Sequence, residues 1–222
     1  MNIAVPKETL TGETRVAIVP EQVRTLSEKN GWSFFVQAGA GVGSGYSDND
    51  YQEAGATICS DAKAVYDKAD ITFHVQVPTA EQIGALAEGS ALMCMLWPMQ
   101  NPDLVKALAS RKITSFAMDK VPRITRAQSM DILSAMSTVS GYKAVLLAAT
   151  ELLKFCPMLM TAAGTIRPAK ALILGAGVTG LMGIGTARRL GCVVEVFDVR
   201  PATKEQPIIS VYNTFCHTQN MV

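Results

Sequence analysis

Gly175, Gly177 and Gly180 follow an apolar run at 171–174, and Asp198 closes a second apolar run at 192–197. Those residue types at that spacing can hold a dinucleotide. Gly175 permits a tight turn after a strand, Gly177 leaves the backbone bare for a pyrophosphate, and Gly180 lets a helix come close to its strand. A helix starting in this turn, with Ala176 and Val178 among the glycines, offers unpaired N–H groups and a partial positive charge to phosphate. Asp198 stands roughly 20 residues beyond the turn, where a carboxylate can accept from both hydroxyls of a ribose. Glycine spacing alone also fits a strand–helix–strand unit whose turn holds no ligand. Arg200 could face a 2′-phosphate, but Asp198 would repel one, so the residues favour NAD over NADP.

A second polar set lies at 121–145: Arg123, Gln128, Asp131, Ser134, Thr138 and Tyr142. Gln128, Asp131, Ser134 and Thr138 fall at helical spacing and are expected on one helical face. They lie between two α/β regions, and clefts between domains are where small-molecule sites form. The plainer alternative is an exposed, polar helix start. Two further stretches are read as structural. Lys7, Glu8 and Arg15 are expected in a solvated loop. The glycine-rich 39–48 resembles a phosphate cradle, but no helical pattern follows it at once, so a turn is preferred.

The elements that must position these groups alternate. Strands are expected at 1–5, Ser33–Gln37, 57–58, 71–77, 91–96 and 113–117. Between them helices are expected at Pro20–Asn30, at 48–54 with Asp48 as N-cap, and at 62–68, 80–86 and 101–110. Such alternation predicts an α/β chain with a parallel sheet covered on both faces. A long helix is expected at 140–155, crossing from one domain to the next. Gly164 and Pro168 mark a loop able to overhang a cofactor.

Composition narrows the classes. Of 222 residues, 49% are hydrophobic, which predicts a packed core. The net charge of +1 gives no electrostatic argument for nucleic acid. Cysteines number five, without a CxxC pair, and read as reduced thiols; the two histidines are too few for a histidine-rich metal site, so no metal is expected. The N-terminus MNIAVPKE lacks an apolar signal core. The apolar stretch 144–163 contains Glu151 and Lys154 and reads as a buried helix, not a membrane span.

Five stretches together carry a family resemblance: IAVPKETLTGETRVAIVPE, QAGAGVGSGYSD, VPRITRAQSMDILS, MTAAGTIRPAKALILGAGVTG and FDVRPATKEQ. Across residues 1–206 the chain resembles the NAD(H)-binding component of proton-translocating NAD(P) transhydrogenase, in the alanine dehydrogenase/transhydrogenase superfamily. The resemblance implies two Rossmann-like parallel-sheet domains, one at 1–135 and a partial NAD-binding one at 136–206, with 207–222 as a divergent tail. It implies an oxidoreductase and translocase component, a homodimer peripheral on the cytoplasmic face of the inner membrane. Partner membrane subunits would carry the proton channel, and a partner component would bind NADP(H). Arg123, Gln128 and Asp131 match the loop at the nicotinamide end of NAD(H), with Ser134 and Tyr142 as neighbours. Gly175, Ala176, Gly177 and Val178 match the pyrophosphate turn, with Gly180 completing the fingerprint. Asp198, Val199 and Arg200 match the adenosine ribose edge. The alanine dehydrogenase branch needs a lysine and a histidine where this chain has Gln76 and Trp97. Glutamine carries no charge and tryptophan is no base at neutral pH. An alanine dehydrogenase-like oxidoreductase and an inactive truncated fragment are the alternatives.

Overall fold

The computed structural model describes residues 1–200. The chain divides into two compact units, the first Met1–Asp131, the second beginning at Ile132.

In the first unit the strands are β1 (Asn2–Val5), β2 (Ser33–Gln37), β3 (Thr57–Cys59), β4 (Ile71–Phe73), β5 (Ala91–Cys94) and β6 (Thr114–Ala117). The helices are α1 (Pro20–Asn30), α2 (Asp48–Glu53), α3 (Ala62–Tyr66), α4 (Ala80–Ala85) and α5 (Pro102–Ser110). The strands form one sheet in the order β3-β2-β1-β4-β5-β6, every neighbouring pair parallel. This is the doubly wound order, in which strand succession reverses between β1 and β4. Ile3, Ala4 and Val5 have no solvent exposure. Ile3 and Val5 join Val23, Phe34, Val36 and Tyr51 in one core, while Ala4 packs with Cys59 and Val65 in another. Alternate side chains of a strand leave by opposite faces, so an apolar β1 requires cover on both. Two other details close local accounts. Pro20 opens α1, and Gly31 ends it in the left-handed conformation, its N–H bonded to the Ser27 carbonyl.

Three local expectations change. The N-cap of α2 is Ser47, in a capping box with Asp50. Asp48 instead accepts from the Gly39 N–H at 2.8 Å and closes the 39–48 loop. Strand β4 ends at Phe73, short of residue 77. Its continuation donates elsewhere: the Glu8 carboxylate accepts from Val75 N at 2.6 Å and Gln76 N at 3.3 Å. Glu8 is therefore not a solvated loop charge, since its side chain is only 6% exposed.

The second unit holds α6 (Ile132–Glu151), the antiparallel hairpin β7 (Leu159–Thr161) and β8 (Gly164–Ile166), then β9 (Lys170–Leu174), α7 (Val178–Arg189) and β10 (Val193–Phe197). β9 and β10 pair in parallel from Lys170↔Val193 to Leu174↔Phe197. Ala176, Ile184, Ala187, Val194 and Val196 form the core beneath α7. α6 starts at Ile132, not at 140, and belongs to the second unit from its first residue. The expected buried helix at 144–163 is corrected twice. Gly141 is the only buried residue of α6, and the apolar stretch continues into a loop and the hairpin. α6 ends at Glu151, and Pro157 disfavours helix at Cys156 beyond it. By length and composition α6 could cross a membrane.

Candidate functional site

The glycine turn forms between β9 and α7. Gly175 has φ +96°, a left-handed value, and its N–H donates to the Phe197 carbonyl at 2.7 Å. That bond ties the end of β9 to the end of β10. A Cβ on Gly180 would sit against the Gly175 carbonyl oxygen, far inside contact distance, and 3.6 Å from Ile173 Cγ2. Glycine at 180 thus lets the first turn of α7 close over the strand end. Gly177 differs: a Cβ there would meet only Arg200 Nη2, at 4.0 Å. The space in front of Gly177 is open, and Gly177 is the N-cap of the twelve-residue α7, without a side chain capping the helix. A helix start with unpaired N–H groups and a bare approach is chemically suited to an anion such as pyrophosphate.

Asp198 is placed at this turn but is already engaged. Its Oδ2 accepts from Ala176 N at 2.7 Å and from Arg200 Nη2 at 2.9 Å. Its Oδ1 accepts from Arg200 N at 2.8 Å and Arg200 Nε at 3.0 Å. The Arg200 side chain, first of all, and then the Ala176 N–H hold the carboxyl well below the usual carboxylate range. A carboxylate offers about four lone-pair sites, and all four are filled. The expected acceptor of two ribose hydroxyls is therefore a saturated group here. Arg200, with its side chain 60% exposed, is the partner able to swing away, whereas Ala176 N is fixed in the turn. Val199, between them, is 79% exposed.

The 121–145 set is not one helical face. Residues Thr125–Met130 form 3-10 turns, with Gln128 among them. Asp131 has φ −77° and ψ 84°, outside the helical region, and breaks the chain before α6. Gln128 and Asp131 end the first unit, and Ser134 and Tyr142 stand on α6 in the second. Arg123 and Gln128 are exposed, Asp131 and Ser134 half-buried, and Tyr142 is half exposed. The backbone carbonyl of Gln128 accepts from Asp131 N at 3.3 Å. Helical spacing misled because a 3-10 turn and an α-helix carry similar polar periodicity, and no proline or glycine marks the break.

A second polar constellation fills the strand-order reversal of the first unit, where open α/β sheets form crevices. Glu8, after β1, reaches the residues after β4. Its Oε1 lies 3.4 Å from His74 Nδ1, and His74 Nε2 lies 3.2 Å from the Tyr66 hydroxyl. Tyr66 is buried, and that burial pushes its hydroxyl up. Glu13 accepts from Arg15 Nε at 2.8 Å, Arg15 Nη2 at 2.6 Å and Gln76 Nε2 at 2.7 Å. Arg15 is the main cause that pulls the Glu13 carboxyl down to about 2. Trp97 adopts φ +47°, held by its N–H, at 3.0 Å, and that of Leu96, at 2.8 Å, both on Asp119 Oδ1. Glu8, Glu13 and Asp119 were not singled out in sequence as organising groups. The signal available was a charged residue just past a strand end, which is too common to be specific.

Known proteins resemble this chain in sequence and fold. The family described as alanine dehydrogenase/PNT, N-terminal domain, matches residues 4–140, and its C-terminal domain matches residues 144–221. The second span includes 207–221, set apart above as a divergent tail and outside the described residues. The chain is 50% identical over 211 residues to an NAD(P) transhydrogenase alpha subunit of Rhodospirillum rubrum, covering 93% of this chain and 55% of that protein. A transhydrogenase structure from Sinorhizobium meliloti superposes with a TM-score of 0.91 at 41% identity, covering 97% of this chain and 61% of that one. An L-alanine dehydrogenase structure superposes with a TM-score of 0.85 at 25% identity, covering 98% and 61%. The chain spans about half the length of the Rhodospirillum relative. With both family domains matched in order, this chain belongs to the alanine dehydrogenase/PNT family.

Proposed function

We propose that the chain is the NAD(H)-binding component of a proton-translocating NAD(P) transhydrogenase. The observation that carries this reading is the open face of Gly177 at the start of α7, framed by the Gly175 turn and the close fit at Gly180. The 50% identity to a transhydrogenase alpha subunit supports it. The α7 start would hold the pyrophosphate through Ala176, Gly177 and Val178. Asp198, Val199 and Arg200 would edge the adenosine ribose once Arg200 turns outward. Arg123, Gln128 and Asp131, with Ser134 and Tyr142 as neighbours, would serve the nicotinamide end. The bound cofactor supplies the hydride, so the chain need only orient rings and exclude water. The Gln128 amide carries a donor and an acceptor, which suits a carboxamide. Partner chains would hold NADP(H) and the proton path, the component acting as a homodimer on the cytoplasmic face of the membrane.

Titration of the protein with NADH and with NADPH, followed by nucleotide fluorescence, tests the reading. NADH is expected to bind at least about tenfold more tightly, a difference of roughly 1.4 kcal/mol. Equal affinity would overturn the NAD preference, and no binding of either would overturn the site. A Gln128→Asn variant is expected to bind NADH nearly normally while hydride transfer in a reconstituted complex slows by about tenfold or more, through lost positioning.

An alanine dehydrogenase activity has less support. Arg15, the group able to bind a substrate carboxylate, is already neutralised by Glu13, and Gln76 shares that carboxylate. Alanine-dependent NADH formation would reverse the choice of branch.

A further inference from the structure

The second unit contains two thiols that the cofactor reading does not use. Cys156 lies in the loop after α6 and Cys192 just before β10, both half-buried and outside any disulfide. Both cysteines line the same cavity, and Cys156 is among the groups that raise the Cys192 thiol. The backbone around them is tightly apposed. The Ala169 N–H donates to the Cys156 carbonyl at 3.0 Å, and the Val193 N–H to the Ala169 carbonyl at 2.9 Å. A Cβ on Gly191 would lie 2.6 Å from Pro157 Cβ, so the residues flanking the two cysteines touch main chain to main chain. Both thiols line one cavity of about 310 Å³, with Ala148, Leu152, Ala169 and Ile173 on its walls. Cys156 also lines a second, wider cavity of about 610 Å³ beside Lys154 and Phe155.

We propose that Cys156 and Cys192 are a redox modification site, a dithiol that a low-molecular-weight disulfide converts to an intrachain disulfide. Cys156, which faces both cavities, attacks first. Its thiolate bonds to one sulfur of the small disulfide, the old S–S bond breaks, and one small thiolate leaves and takes up the proton that Cys156 lost. Cys192 then attacks the Cys156 sulfur, its own proton passing to the second small thiol as that leaves. Two protein thiols lose two electrons, and one small disulfide becomes two thiols. Burial, first, and the neighbouring Cys156 push the Cys192 thiol up to about 11, so it is protonated at neutral pH and suits the resolving role. Proximity supplies what its low thiolate fraction lacks, because the second step is intramolecular. The bridge would close a loop that contains the whole glycine turn and α7.

Oxidised glutathione is the probe. The intact protein is incubated with it, quenched in acid, alkylated, digested with trypsin and analysed by mass spectrometry. The expected product joins peptides 155–170 and 190–204, at least about tenfold more abundant than in the guanidinium-unfolded chain, where proximity is lost. Cys192→Ser is expected to stop at a glutathione adduct on Cys156, and Cys156→Ser to leave Cys192 alkylated. Three outcomes would overturn the proposal: a stable adduct on Cys156 in the unsubstituted protein, bridges to Cys59, Cys94 or Cys216 instead, or equal yield from the unfolded chain. The comparison of folded with unfolded protein needs no variant, so a misfolded substitution would not obscure the result.

Discussion

Asp198 shows how a residue can be in the right place and in the wrong state for its expected partner. Its four lone-pair sites serve Ala176 N and three Arg200 donors, and only the arginine can move away. Asp198→Asn removes the charge that would repel a 2′-phosphate. The variant is expected to lose the preference for NADH over NADPH, by about tenfold, in parallel fluorescence titrations. Glu13 makes a prediction about acid stability. Arg15, above all, and Gln76 lower its carboxyl from 4.5 to about 2. A group lowered in the folded state stabilises it above the unfolded value and loses that contribution as pH falls through the folded value. Glu13→Gln is therefore expected to flatten the loss of stability between pH 4.5 and about 2, in urea unfolding followed over pH. An unchanged acid limb would mean that the pair contributes nothing in solution. The Glu8 and Glu13 contacts were not legible in sequence because each joins residues far apart in the chain: Glu8 to Val75, Glu13 to Gln76.

Among the elements, the β9–α7–β10 unit depends on two close approaches that only glycine allows. Gly180→Ala would drive a Cβ into the Gly175 carbonyl. The turn must open, at a cost of about 1–3 kcal/mol for an overpacked site, and NADH binding is expected to fall with it. Chemical unfolding and titration of the same variant check both. Gly141 does the same between helices. A Cβ there would overlap the Thr179 carbonyl oxygen and lie 3.2 Å from Met182 Cβ, so α6 crosses α7 at that residue. Gly141→Val is expected to destabilise the second unit by about 2 kcal/mol or more, with little change in the first. The β9–α7–β10 unit was legible because glycine spacing and two apolar runs are local signals. The extent of α6 was not, since its apolar and small hydroxyl residues are spread around the helix and leave no clear periodicity to set its ends.

At the scale of the molecule the two units differ in how much structure each can close. The first owns a six-stranded sheet with core on both faces, and among the described residues the second has only two-stranded pairs, β9 with β10 and β7 with β8, around a smaller core. β9 shows Leu172 at 62% and Leu174 at 73% exposure. A two-stranded sheet has little independent stability. Calorimetry is expected to resolve two transitions, the lower one assigned to the second unit and raised by NADH, because a ligand stabilises only the fold that binds it. A single two-state transition, insensitive to NADH, would contradict both the division and the site.

The sequence by itself determined the α/β class, the alternation of elements through residue 117, the glycine turn and the family. These rest on local patterns: apolar period, caps, turn residues and motif spacing. Only the tertiary structure decided that Glu8 bridges the strand reversal, that Arg200 occupies Asp198, that the chain breaks at Asp131, and that Cys156 and Cys192 line one cavity. The first and last join groups whose meeting depends on how strands and helices are laid side by side, and a one-dimensional pattern carries no term for that distance; the other two depend on local rotamer and backbone choices that residue type alone leaves open.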